Sequence, residues 1–158
     1  MNEVQAAKFD SVFRECDAHV ARLRSASAKL SAVFPLGEER FSALENATVE
    51  TLDQFVYRFT KLQDALAARM MPAFRVLLSG SDAPCPFLDT LHDLEKAGIV
   101  PSARGWQELR ALRNNLAHDY PESVSQTVAT LNEVFKRWEE LAEVLFAARK
   151  FYAENVKK

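Results

Sequence analysis

The sequence predicts an all-α fold, an up-and-down bundle of four to five helices forming one domain over residues 1–158. Three observations carry that expectation. Glycine is scarce, at four residues, while Ala, Leu, Glu, Arg and Lys, which lose little on entering a helix, dominate. Apolar residues recur at intervals of three and four over long stretches, the period of a helix face. No segment shows the strict alternation of a half-buried strand, and neither an internal repeat nor a low-complexity segment is present.

The first stripe is Phe9, Phe13, Cys16, Val20, Leu23, Leu30 and Phe34, with Ser27 in its one gap. Pro35 and Gly37 end it. A second helix begins between Glu38 and Thr48 and buries Leu52, Phe55, Phe59, Leu62, Leu66 and Met70. Pro72 lacks an amide hydrogen and crowds the carbonyl four residues back, so it is expected to kink or end that helix, with Phe74–Leu78 supplying a further turn or two. Residues 79–86 read as the clearest loop. A short third helix over about Phe87–Ala97 stops at Gly98. The fourth opens after Pro101 with Ser102 as its N-cap, and Pro121 closes it, because the residue before a proline avoids helical geometry. A last long helix starts at Glu122 or Ser123, striped by Val124, Val128, Leu131, Phe135, Trp138, Ala142 and Leu145.

Composition narrows the function classes. Hydrophobic residues make up 48% and charged residues 27%, which suits a packed core and excludes disorder. The formal charge of −2 gives no long-range attraction for nucleic acid, so any phosphate must be held by a local patch. The N-terminus lacks the cationic and apolar run of a signal peptide, and no apolar segment approaches the roughly 20 residues of a membrane span. A cytoplasmic protein without a membrane partner is expected. Cys16 and Cys85 stand far apart and outside any CxxC pair, so both are expected as reduced thiols. His19 and His92 lack companions at ligand spacing, and neither a metal nor a cofactor is expected. Asp17, Asp53 and Asp64 are expected on solvated helix faces, and Phe55, Phe59, Phe135 and Trp138 in core or dimer packing.

Chemistry concentrates in the fourth helix, at Arg113-Asn114-Asn115-Leu116-Ala117-His118-Asp119-Tyr120. Guanidinium grips phosphate and imidazole moves protons near neutral pH. With about 100° per residue and Trp106 at zero, Leu109, Leu112 and Leu116 fall at about 240–300° and define the buried stripe. Tyr120, Arg113, Trp106, Ala117, Arg110, Asn114, Gln107 and His118 sweep from about 320° round to 120°. No acid lies in that arc, since Glu108 and Asp119 project at about 200–220°. Two arginines and a histidine thus share a face suited to a phosphodiester. Arg113 and His118 are about 140° apart on one helix, so they converge at an unwound helix end or, more simply, across a two-fold dimer.

The string Arg113-x4-His118-x-Tyr120, with Asn114 after the arginine, resembles the signature of the HEPN family, above all the HEPN toxins paired with MNT-type nucleotidyltransferase antitoxins. The helix order is similar, with the motif on a late helix ahead of a long C-terminal one. The detailed match covers Arg110–Pro121. The resemblance implies a homodimeric, metal-independent endoribonuclease. Its catalytic residues would be Arg113 on the scissile phosphate and His118 in proton transfer, supported by Asn114 and Arg110. RNA would be cut to a 2′,3′-cyclic phosphate and a 5′-hydroxyl. In relatives with this motif the tyrosine is modified with AMP by the cognate antitoxin, which makes Tyr120 the modification site here. The competing expectations are a non-catalytic accessory or substrate-binding subunit of a nucleotidyltransferase, and a helical interaction module.

Overall fold

Helices account for the secondary structure of a computed structural model that describes residues 1–117 and 123–156. The stop expected at Pro121, the start expected at Glu122 and the Lys157-Lys158 tail lie outside the described residues.

Helix α1 (Glu3–Leu30) opens with a capping box, in which the Asn2 side chain accepts from the Gln5 amide at 2.8 Å and the Gln5 side chain accepts from the Asn2 amide at 3.2 Å. It buries Phe9, Val12, Phe13, Cys16, His19, Leu23, Ala26 and Leu30. Ala26 fills the gap in the stripe that the spacing assigns to Ser27, because a helix face drifts around its axis over eight turns. The stretch after Leu30 turns back through a cis Phe34–Pro35 peptide into a short helix, α2 (Glu38–Ser42).

Helix α3 (Asn46–Ala65) runs into a π-helical turn (Leu66–Met70) and then α4 (Met71–Ser79), one continuous rod. Pro72 therefore does not end the helix. The wider turn before it, closed by the Met71 amide on the Leu66 carbonyl, accommodates the missing donor. Leu52, Phe55, Phe59, Leu62, Leu66 and Met70 are all buried, as the stripe predicts. Gly80 ends α4 in the left-handed region at φ 68°.

Helix α5 (Phe87–Lys96) stops at Gly98, φ 76°, and α6 (Ala103–Ala117) starts at the predicted Ser102 cap, whose hydroxyl accepts from the Gly105 amide at 2.9 Å. The Glu95 carboxylate accepts from the Ala103 amide at 2.5 Å, tying α5 to the start of α6. The long last helix of the sequence reading is two segments, α7 (Val124–Arg137) and α8 (Glu139–Asn155), meeting at Trp138. The indole is buried there, and the Leu141 amide bonds back three residues to the Trp138 carbonyl. Arg137 sits beside this break and bonds Glu140 at 2.7 Å and Glu108 of α6 at 2.9 Å, stitching α6 to the corner.

The rods α1, α3–α4, α5, α6 and α7–α8 make up the bundle. Helix α1 packs most extensively along α3, α6 along α7, and α4 against α5. One end of the core is an aromatic cluster in which the Phe9 ring centroid lies 4.8 Å from those of Phe74 and Tyr152. At the other, Phe34 stacks on Phe135 at 4.1 Å, and the Asn132 side chain bonds both backbone groups of Leu36, holding the connection after α1 against α7. Among the described residues no helix is long and apolar enough to cross a membrane.

Candidate functional site

The outer half of α6 crosses the end of α3, and the space between them is a cleft of about 420 Å³. Arg110, Arg113 and Asn114 line it from α6, Gln63 and Asp64 from α3, and Ala67 and Ala68 from the π turn. Phe87 and Trp106 complete the apolar wall. Three of the expected site residues thus share one concave surface. His118 and Tyr120 lie outside the described residues.

Two features of the wheel are corrected. Trp106, placed within the cationic arc, is buried, because the first turns of α6 face the core with Ala103, Trp106 and Leu109. Leu112 and Leu116 are only half-buried. The arc is acid-free along α6 itself, yet Asp64 of α3 faces it and accepts from Arg113 Nη2 at 3.2 Å and 3.4 Å. Asp64 is therefore an ion-pair partner rather than a merely solvated acid. Arg110 is differently placed, its guanidinium 5.4 Å from the Phe87 ring centroid.

The rim pair is partly wet, with the Arg113 side chain 30% and the Asp64 side chain 47% exposed. Such pairs contribute about 0.2–1 kcal/mol, so Asp64 holds Arg113 only weakly. Gln63 at the floor and Trp106 in the wall are the opposite case. Gln63 is 3% exposed and Trp106 2%. Among the described residues four buried side-chain polar atoms lack a hydrogen-bond partner: Gln63 Oε1 and Nε2, Trp106 Nε1 and Arg58 Nε. Three of the four belong to residues that line this cleft.

Sequence reasoning missed Gln63, although it left a signal. Gln63 sits four residues after Phe59 and three before Leu66, next to Leu62 at the edge of the row that α3 turns to the core. A polar side chain there needs a partner or a purpose.

Other clusters are better satisfied. The groove between α1 and α8, about 470 Å³, has its Asp17 and Arg149 paired at 2.6 Å. His19 Nδ1 lies 3.1 Å from Arg58 Nη1 and accepts from it, while Nε2 lies 3.8 Å from Glu15 Oε1. Burial, then Arg58 and Lys61, hold its pKa below the ordinary value. Cys16 is a buried thiol pushed up to about 12, by burial first and then by Asp17. Among the described residues no group of three His, Cys, Asp or Glu side chains could hold a metal ion.

What fold and site define together is a class: an all-α bundle with a lateral cleft that carries two arginines and an aspartate at its rim and a buried amide at its floor. No protein-family model, curated protein or solved structure matches the chain.

Proposed function

We propose that the chain is the toxin of a HEPN-type toxin–antitoxin pair, a metal-independent endoribonuclease acting as a homodimer. The observation that carries this reading is the convergence of Arg110, Arg113 and Asn114 on one cleft beside the chain that continues to His118 and Tyr120. In the reaction, the ribose 2′-oxygen attacks phosphorus and the bond to the 5′-oxygen breaks. A 2′,3′-cyclic phosphate and a 5′-hydroxyl result. His118 takes the 2′-hydroxyl proton or protonates the leaving oxygen, and a dimer supplies one histidine for each task. Arg113 leaves Asp64 and stabilises the charge that builds on the phosphoryl oxygens. AMP attached to Tyr120 by a cognate nucleotidyltransferase antitoxin adds a bulky anion to the same motif, and such an anion competes with RNA phosphate for arginine.

The test is RNA cleavage by purified protein in EDTA, expected for the wild type and lost in His118→Ala and Arg113→Ala. Equal cleavage by all three overturns the proposal. The Asp64–Arg113 ion pair favours a second reading, a non-catalytic accessory or substrate-binding subunit of a nucleotidyltransferase, because it neutralises the cation that catalysis would use. Expression in a bacterial host separates the two: growth arrest with RNA decay marks the toxin, and unimpaired growth marks the subunit.

A further inference from the structure

The floor of the cleft says more than its rim. A buried amide without a partner loses its hydrogen bonds to water on folding and regains nothing from the protein. Gln63 carries that cost in both its oxygen and its nitrogen, beside a tryptophan whose N–H is also unpartnered among the described residues. The floor therefore offers one acceptor next to one donor from a single amide. Ala67, Ala68, Phe87 and Trp106 form low, apolar walls, and Arg110 and Arg113 stand at the rim.

The geometry points to an adenine-reading subsite, in which Gln63 recognises the base of an adenosine 5′-monophosphate unit whose phosphate replaces Asp64 on Arg113. Each part of that unit has its counterpart. Adenine presents N6–H beside N7, the donor–acceptor pair that a glutamine amide bonds bidentately, whereas guanine presents two acceptors on the same edge. A purine face matches the apolar walls, and a space of about 420 Å³ takes a nucleotide. The phosphate meets two arginines at the mouth.

The subsite deepens the nuclease reading and rests on it for its place beside the scissile phosphate, but binding tests it independently. Calorimetric titration of the full chain with AMP, GMP and CMP is expected to show AMP preferred by roughly tenfold. Gln63→Leu is expected to erase the preference, and Asp64→Asn, a rim change, to tighten AMP about threefold by freeing Arg113. A hexa-adenylate binding more tightly than AMP places the adenosine within an RNA strand, and the reverse order assigns the subsite to the free nucleotide. No binding by any nucleotide, binding indifferent to base, or a preference that survives Gln63→Leu overturns the inference. Cleavage that depends on His118 together with base-indifferent binding leaves the nuclease reading intact and removes this one. Adenine-selective binding without cleavage does the reverse.

Discussion

Replacing Gln63 by leucine should make the protein more stable. The residue is 3% exposed, and neither polar atom of its amide has a partner among the described residues. In the unfolded chain both bond to water, so folding costs about 1–3 kcal/mol for the unmet amide. Leucine removes that penalty and joins Phe59, Leu62 and Leu66, each with 0% exposure. It also has one heavy atom fewer and branches earlier, a mismatch costing about 1 kcal/mol in a packed interior. The net gain is about 1 kcal/mol, or roughly 2–4 °C in Tm for a domain of this size. Urea and thermal unfolding followed by circular dichroism measure it, with Gln63→Ala as the control that deletes the amide but leaves a larger void. A fall of more than about 1 kcal/mol in the leucine variant at unchanged m would refute the reasoning, since the amide would then be partnered in solution. A stabilised variant that has lost adenine selectivity would mark Gln63 as a residue kept for function at the expense of stability.

Three further outcomes follow from satisfied or buried groups elsewhere. The folded-state pKa of His19 lies below its ordinary 6.5, so its contribution is fully present above that value and is lost as pH falls through the lowered one. His19→Gln should therefore flatten the fall in unfolding free energy as pH drops below 6.5, and an unchanged slope would exclude His19 as its source. Because the Cys16 thiol is buried and pushed up to about 12, a disulfide reagent near pH 8 should titrate Cys85 alone in the native protein and both thiols in denaturant. Asn132→Ala removes the two bonds to Leu36, at 2.7 Å and 2.9 Å, and should cost about 1–3 kcal/mol in urea unfolding.

The parts of the fold visible in the sequence are those set by local periodicity. The row from Leu52 to Met70 is buried because apolar side chains three and four apart share a face whatever the helix packs against, and Ser102 and Gly98 act within a single turn. What escaped depends on neighbours. Pro72 forbids one hydrogen bond, but whether the helix stops or widens is decided by the core that holds Met70, Met71 and Phe74. Trp106 falls within a polar arc on a wheel, and only the packing of α6 shows that its first turns face inward. The same holds for the site. Arg113 and Asn114 announce themselves by type and spacing, whereas the acid opposite is 49 positions away in sequence and belongs to another helix. Gln63 lies next to Leu62 at the edge of an unbroken apolar row and was passed over, because its meaning required the cleft around it.

The π turn at Leu66–Met70 gives the longest rod in the molecule one spare residue. A deletion anywhere else in α3 would swing everything downstream by about 100° and carry Phe74 away from the aromatic cluster. A deletion inside the turn would let ordinary α-helical bonding resume with both flanks still facing the core. Pro72 guards against that shortening, because a tightened turn would bring a carbonyl against its ring. Length variation in this helix is thus coupled to one position: the spare residue becomes dispensable only after the proline has been replaced, and the Ala67–Ala68 wall of the cleft changes with it.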